Sequence, residues 1–217
     1  DAGEVPARVA HGGGANAIAW RVDPAALDAR VYLPLFIDGV RETTHPYRVL
    51  AVRGGIELTR ACGERALLET LPRCALPLRD ALNTGDPAVI AVTLELLVEF
   101  TRASPAVGEA LVPYYRQLLP RLNALKDVDD VYVSLARLAD ARSWRERPPR
   151  ANAGEDENDE SAMLPRETEL IGRGRSKRNI GSLVRRALRA LERRGGADAL
   201  ANIKYHIPTY RSCARVE

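Results

Sequence analysis

Leucine, valine and isoleucine recur at helical spacing through most of the chain, and the periodic stretches are separated by proline and glycine. The clearest stretch reads PAVIAVTLELLVEFTRA, residues 87–103. Asp86 is expected to cap this helix, because its carboxylate can accept hydrogen bonds from the unpaired amides of the first turn. Pro87 is expected to be the first helical residue, because proline has no amide hydrogen that would be left without a partner there. Apolar residues occupy nearly the whole circumference, which predicts a helix covered on most sides within a helical stack.

Short helices are predicted before this central one. AIAWRV, residues 17–22, is predicted to be extended. Asp23 and Pro24 then begin a helix that is expected to end at Pro34, since proline removes an amide donor and clashes with the preceding turn. Glycine and Leu-Pro pairs divide the rest into four predicted segments: 46–53, 56–62, 64–71 and 72–82.

The helices predicted after it are also bounded by proline. Ser104 caps a helix that opens at Pro105, and we expect this helix to break at Pro113 and again at Pro120. A short helix is predicted over 131–141.

The C-terminal part carries the most strongly amphipathic helix. Asn179 is its predicted cap, apolar residues follow at steps of three and one, and Gly195 ends it. A second helix is predicted over 197–204. The segment after it is expected to be extended, because Pro208 disfavours helical backbone at the residue before it.

A weak internal echo points to a repeat architecture. LPLRDALN (76–83) and LPRLNALK (119–126) share leucine, proline, alanine and leucine in register. Their offset falls in the range of roughly 40–47 residues that helix-pair repeats show. We therefore predict an all-α fold, an armadillo- or HEAT-like α-solenoid of short helix pairs, with an extended N-terminal arm and an acidic loop insertion.

These elements predict one helical domain with a single interruption. Five of the six residues 155–160 are acidic and a basic run follows at 173–178, so this region cannot bury enough apolar surface to fold. The predicted organisation is an extended N-terminal arm over 1–17, the first part of the helical domain over 18–127, an insertion with at most one short helix over 128–177, and C-terminal helices with an extended tail over 178–217.

Composition supports this picture and narrows the function classes. The chain has 217 residues, 46% hydrophobic and 5% aromatic, with a net charge of +3, which allows a sizeable core and favours helix. Cys62, Cys74 and Cys213 lack metal-ligand spacing and indicate reduced thiols in a cytosolic compartment. No stretch approaches the ~20 apolar residues of a membrane span. The chain starts at Asp1, so we expect the natural sequence to begin earlier.

Enzyme signatures are missing from the sequence. His11, His45 and His206 are the only histidines, and none is spaced to share a metal with another histidine or a cysteine. There is no phosphate loop, nucleophile elbow or CxxC pair. We therefore expect no catalytic residues, no metal and no cofactor.

Positive charge is concentrated near the C-terminus. Between Arg173 and Arg194, nine Lys and Arg stand against one acid, Glu192, for a local net charge of +8. This stretch is either a solvated helix face or a patch for an acidic polymer. Nucleic acid is disfavoured because no aromatic residue interleaves with the arginines and no base-reading motif is present. The candidate binding residues in this patch are Arg185, Arg186, Arg189 and Arg193.

Two further sets of residues are candidate partner contacts. Tyr114, Tyr115 and Arg116 follow one another in PYYRQ. Adjacent helical residues point about 100° apart, so one tyrosine is expected in the core and the other at a contact surface, although packing of both stays open. The C-terminal set either anchors the tail on its own domain or meets a partner; it comprises Lys204, Tyr205, His206 and Tyr210.

Several long segments resemble the parkin co-regulated protein family. They are ALVPYYRQLLPRLN (110–123), NIGSLVRRALRALERRGG (179–196) and NIKYHIPTYRSC (202–213), supported by IAWRVD, YLPLFIDG and HPY nearer the N-terminus. The resemblance covers about residues 18–127 and 178–213, and it implies an armadillo- or HEAT-like fold. The region 128–177 is longer than the family's usual linker, and the helix after Asn179 is richer in arginine.

The resemblance also implies a location and partners. Members of that family lie in the cytoplasm on the cytoskeleton, at the inner junction of axonemal doublet microtubules in cilia and flagella. There they bind alpha/beta-tubulin, lie among other microtubule inner proteins and alternate with a small β-rich cilia- and flagella-associated protein, closing the B-tubule onto the A-tubule. Some also bind a small meiosis-expressed protein.

Two function hypotheses follow. The first is a non-enzymatic structural protein that binds tubulin, whose acidic surface suits the arginine face of 185–194. The alternative is a soluble helical-repeat adaptor that binds a protein or peptide in its groove. An enzyme would instead need a deep pocket with perturbed titratable groups, which three scattered histidines do not indicate.

Overall fold

A computed structural model of the chain describes residues 5–10, 17–44, 46–134 and 177–213. These parts are mostly helical with a few short strands, which confirms the prediction of an all-α protein. The α-helices are α1 Ala29–Asp38, α2 Tyr47–Ala61, α3 Glu64–Leu82, α4 Pro87–Ala103, α5 Pro105–Ala110, α6 Tyr115–Leu125, α7 Ile180–Arg194 and α8 Ala199–His206.

Helix α4 is the centre of the fold, as its sequence predicted. It packs against α2, α3, α5 and α7. Every residue from position 89 to position 101 is buried except Glu95. The Asp86 side chain accepts hydrogen bonds from the amides of Ala88 and Val89 at 2.7 and 3.4 Å. The Asp86 cap therefore sets where this helix begins, and its apolar surface sets its place in the core.

The remaining helices are packed around α4 in two groups. Helix α1 packs on α2 and α3, and α6 packs on α3, α7 and α8. Ser104 and Asn179 cap α5 and α7, with Ser104 Oγ accepting from the Val107 amide at 3.2 Å and Asn179 Oδ1 from the Ser182 amide at 2.6 Å. Both predicted caps are confirmed, and Gly195 ends α7 as predicted.

Several predicted helix breaks were wrong. Breaks were predicted at Pro34, Pro72 and Pro120, but all three prolines lie inside helices, as Pro77 also does. These prolines are exposed or half-buried. The carbonyl group of Arg30, which loses its amide partner to Pro34, accepts a hydrogen bond from Arg73 Nη1 at 3.2 Å instead. Burial of a continuous apolar face on the other side of each helix outweighs the lost hydrogen bond. The break predicted at Pro113 is confirmed, since a 3-10 turn separates α5 from α6 there.

Two glycines also lie within a helix that they were predicted to stop. Gly54 and Gly55 are in the middle of α2 and buried. A Cβ atom added to Gly54 would lie 2.5 Å from Cε1 of Phe36, and one on Gly55 would lie 3.5 Å from Cδ2 of Leu96. Glycine is used here for close packing of α2 on its neighbours, which local sequence does not reveal.

The region before α1 contains a small hairpin-like sheet. Strand β1 Ala7–Ala10 pairs antiparallel with β2 Ala17–Trp20, which confirms that AIAWRV begins extended. Ala7 and Val9 are buried, so this part of the predicted N-terminal arm is packed on the domain. Residues 1–4 and 11–16 of the arm lie outside the described residues.

Asp23 was predicted to start the first long helix, and it caps a shorter element instead. Its side chain accepts from the Ala25 amide at 3.0 Å, at the start of a 3-10 turn, Pro24–Ala26. Asp28 then caps α1, accepting from the Arg30 amide at 3.0 Å. Two aspartates five residues apart therefore begin two separate elements.

The predicted insertion is bounded by a pair of short strands. Strand β3 Tyr132–Ser134 pairs antiparallel with β4 Lys177–Asn179. Residues 132–134 therefore form a strand, whereas the sequence predicted that they belong to a helix over 131–141. The rest of that helix, the acidic run at 155–160 and most of the basic run lie outside the described residues.

Candidate interaction surface

Helix α7 packs its apolar side on the core and exposes three of its five arginines. Its apolar residues pack against α4, α5, α6 and α8 as the spacing predicted; they are Ile180, Leu183, Val184, Ala187, Leu188 and Leu191. Arg189, Arg193 and Arg194 are exposed. Of these three, Arg189 and Arg194 form no ion pair with a residue in the described part of the chain, so they are positioned to meet an acidic partner.

Three of the four candidate arginines are engaged within the domain, and one of them, Arg193, hydrogen-bonds the Cys213 side chain although it is exposed. Arg186 forms an ion pair with Glu95 of α4, and their side chains are 25% and 12% exposed. Arg185 donates to the carbonyl oxygen of Lys126 at 2.8 Å and to Oδ1 of Asp129 at 3.0 Å. Arg186 therefore holds α7 onto α4, and Arg185 holds it onto the chain after α6.

In PYYRQ, one tyrosine lies in the core and the other is partly exposed, which is the first of the two arrangements that the sequence allowed. Tyr115 is fully buried, and its hydroxyl donates to the carbonyl oxygen of Leu191 at 3.1 Å. Burial raises the pKa of Tyr115 above the usual tyrosine range. Its assignment as a partner-binding residue was wrong, because no partner can reach it in this fold. Tyr114 is half-buried and Arg116 is exposed.

The C-terminal candidates also differ in exposure. Lys204 is exposed and Tyr205 is 81% exposed. The His206 ring is edge-on to Tyr205 with centroids 5.1 Å apart, and its carbonyl oxygen accepts from Asn123 Nδ2 at 3.3 Å. Lys204 and Tyr205 are thus available to a partner, while the His206 backbone is tied to α6.

Tyr210 anchors the tail on its own domain. Its hydroxyl donates to Oε2 of Glu192 at 2.8 Å. Ser212 Oγ donates to the other carboxylate oxygen, and the Cys213 amide and Sγ lie 2.9 and 2.8 Å from Oε2. One carboxylate on α7 therefore holds the last described residues of the chain; we call this group the Glu192 latch.

The latch shifts the acidity of its members. Burial raises the pKa of Glu192, but the hydrogen bonds from Cys213, Ser212 and Tyr210 outweigh burial and bring it to about 2. The pKa of Tyr210 is raised first by burial and then by its bond to Glu192. The sequence predicted anchoring of the tail through Tyr210 as one of two alternatives, and the hydrogen bond of Tyr210 confirms it, but Glu192 was not identified as the partner. The only available signal was a single acid among the arginines of α7.

A groove runs between α7, the end of α6 and the tail. It has a volume of about 430 Å³ and is lined by Lys126, Asp127, Arg185, Leu188, Arg189, Thr209, Tyr210 and Arg211. Four of these eight residues are cationic and one is acidic. The groove therefore carries positive potential next to the exposed arginines of α7.

Other kinds of site find little support in the described residues. Within 5–10, 17–44, 46–134 and 177–213, no group of three or more histidine, cysteine or acidic side chains is placed to hold a metal ion. None of the helices there is long and apolar enough to cross a bilayer. Cys74 is fully buried, and burial raises its pKa to about 12.

Comparison with known proteins gives one consistent result. The family model described as parkin co-regulated protein matches residues 1–151 and 161–212. A mouse protein named parkin coregulated gene protein homolog is 37% identical over 212 residues, which span 97% of this chain and 73% of the mouse protein. The match extends further into the predicted insertion than expected, and between its two ranges it omits only 152–160, which contains the acidic run.

Proposed function

The chain belongs to the parkin co-regulated protein family, and on that premise we propose that it is a non-enzymatic structural protein of the axonemal doublet microtubule. In this role it binds alpha/beta-tubulin at the inner junction, beside the small β-rich cilia- and flagella-associated protein, and helps to close the B-tubule onto the A-tubule. The proposed location is the axoneme of cilia and flagella. The observation that carries the proposal is the family match over nearly the whole chain.

The proposal includes the architecture. We regard the domain as a short armadillo- or HEAT-like solenoid. Consecutive helices pack on one another, α1 on α2 and α3, and α4 on α3 and α5, which is how stacked helix pairs bury their apolar faces. Such a stack offers broad surfaces rather than one deep pocket, which suits a protein that bridges a lattice.

The charge distribution supports an acidic partner. Arg189, Arg193 and Arg194 project from one helix, and the groove beside them is basic. Each exposed ion pair contributes only about 0–1 kcal/mol. On a repeating lattice such weak contacts add through effective concentration, so modest charge is sufficient for stable attachment.

Co-sedimentation with taxol-stabilised microtubules across a salt series tests the proposal. Saturable pelleting that weakens with salt is the expected result, because exposed charge pairs are screened. No pelleting at any salt, alone or with the β-rich partner present, would contradict the proposal and favour the soluble adaptor.

A charge-reversal pair locates the contact. Reversing Arg189 and Arg194 to glutamate should weaken pelleting severalfold, whereas reversing Arg8 on β1 and Arg65 on α3, both exposed, changes net charge equally and should have little effect. Arg185 and Arg186 are unsuitable for this test, because their reversal would break contacts within the domain.

A further inference from the structure

The groove between α7 and the tail has two cationic side chains without a carboxylate partner among the described residues. Lys126 Nζ pairs with Asp127 at 2.7 Å, and Arg185 pairs with Asp129 at 3.0 Å. Arg189 and Arg211 are exposed, and neither forms a salt bridge with any residue that the structure describes. Internal pairing thus leaves an excess of two guanidinium groups in the groove.

These two arginines belong to opposite walls. Arg189 is on α7, and Arg211 is in the tail that forms the other side of the groove. The Glu192 latch fixes the second wall, because Tyr210 and Ser212, the neighbours of Arg211 on both sides, donate to the same carboxylate. The spacing of the walls is therefore set before any ligand arrives, which lowers the entropic cost of binding.

The floor of the groove is apolar. Leu188 lies there and is 1% exposed, and the half-buried Tyr210 ring flanks it. The methylene groups of an extended acidic side chain can lie on the exposed part of the Tyr210 ring while its carboxylate reaches a guanidinium at the rim. Arginine suits this arrangement because its planar group can hold a carboxylate through two parallel hydrogen bonds.

We propose that this groove binds an extended, glutamate-rich segment of a partner protein, with carboxylates held by Arg189 and Arg211. The inference rests on the proposed function, since it names the kind of segment on the acidic partner that this face receives. A cavity of about 430 Å³ accommodates a few peptide residues. Nucleic acid is less suited, because backbone binding uses a longer track of cations, usually with aromatic stacking.

The test measures binding of a labelled oligoglutamate peptide to the purified full chain by fluorescence anisotropy, without microtubules. Binding that weakens with salt is expected for the wild type. Changing Arg189 and Arg211 together to glutamine should weaken it roughly fivefold to tenfold. The matched control, Arg116→Gln with Arg194→Gln, removes the same charge from two exposed positions outside the groove and should change binding less than about twofold.

Several outcomes would overturn the inference. Equal loss in the control would mean that net charge rather than the groove binds the peptide. Tighter binding of poly(U) RNA with the same dependence on Arg189 and Arg211 would assign the groove to nucleic acid. Peptide binding that emerges only after deletion of 152–160 would make the chain's own acidic run the occupant.

This result is separable from the microtubule experiment. A chain that pellets with microtubules but does not bind the peptide retains the proposed function and loses this inference. A chain that binds the peptide through Arg189 and Arg211 but never pellets retains the groove as an acidic-segment site and loses the microtubule assignment.

Discussion

The hydroxyl of Tyr115 donates a hydrogen bond to the carbonyl oxygen of Leu191, 3.1 Å away and 76 residues later in the sequence. It joins the first turn of α6 to the last turn of α7 inside the core. Gly195, which ends α7, lies against this contact, and a Cβ atom there would be 2.7 Å from the hydroxyl and 2.6 Å from the carbonyl oxygen. The contact therefore helps to fix where α7 ends and where the tail begins.

The Tyr115→Phe variant should be less stable by about 1 kcal/mol, because it removes the donor to a buried carbonyl. Truncation to alanine should cost about 3–5 kcal/mol, since a large buried ring is lost. Urea unfolding of each variant measures both values. Tyr114→Phe is the matched control and should be near neutral, because that side chain is only half-buried. Equal effects at both positions would contradict the assignment of Tyr115 to the core.

The Glu192→Gln variant should make Cys213 more reactive. Burial raises the pKa of Cys213, and the bond and charge of Glu192 raise it further. Removing that charge lowers the pKa and releases the tail, so a larger fraction of the thiol is ionised at neutral pH. Alkylation by iodoacetamide, followed by peptide mass mapping, should show faster labelling of Cys213. Cys74 is the internal control, because it is fully buried, and its labelling rate should not change.

The same latch predicts a dependence of stability on pH. The pKa of Glu192 in the folded protein is about 2, below its ordinary value of 4.5, so the unfolded chain binds the proton more readily. Its stabilising contribution is complete above pH 4.5 and is lost as pH falls towards 2. The stability difference between wild type and Glu192→Gln, measured by urea unfolding, should therefore shrink across that window. A constant difference from pH 6 to pH 3 would contradict the depressed pKa.

The elements that sequence predicted best were those with a local cause. Asp86 and Pro87 define the start of α4, and a continuous apolar run defines its burial. The sequence alone was therefore sufficient to predict where this helix begins and that it lies in the core. Predictions failed where tertiary packing overrides local preference, as at Gly54 or Pro72. From the sequence alone, a proline on the solvent side of a helix and a glycine beneath an aromatic ring cannot be distinguished from residues that end a helix.

The interaction surface could be predicted only in part. Sequence identifies a helix rich in arginine, but not which arginines have partners within the domain. Asp129 is 56 residues from Arg185, and Glu95 is 91 residues from Arg186, so spacing along the chain gives no sign of either pair. The exposed cations could be separated from the structural ones only once the helices were packed.

The Gly54→Ala variant should be destabilised by about 1–3 kcal/mol, because overpacking displaces a buried ring. The added Cβ would lie 2.5–2.8 Å from three atoms of the Phe36 ring, and that ring also packs edge-on against Trp20 at 5.8 Å. Gly55→Ala is the control, since it makes the same change in the same helix and an added Cβ there lies 3.5 Å from Cδ2 of Leu96, an ordinary contact distance. Thermal unfolding should show a lower midpoint for the first variant only. Similar midpoints for both would mean that α2 can shift away from α1 at little cost.

The ion pair between Arg186 and Glu95 should stabilise the domain more than a surface pair does. Glu95 is the one residue of 89–101 on α4 that is not fully buried, and it meets Arg186 with side chains 12% and 25% exposed. The Arg186→Met variant leaves a carboxylate without its partner in a poorly solvated position. We expect it to lose about 2 kcal/mol and the double variant with Glu95→Gln to recover part of that loss, for a coupling energy of about 1–2 kcal/mol.

The pair of Arg65 and Glu69 is the control for this cycle, because its side chains are 93% and 42% exposed. Its coupling energy should be no more than about 0.5 kcal/mol. Urea unfolding of the two double-mutant cycles gives both values under the same conditions. Equal coupling in the two cycles would mean that Arg186 is solvated like any surface arginine. It would then be as suitable as Arg189 for a charge-reversal test of partner binding, whereas the expected inequality means that its reversal reports on folding.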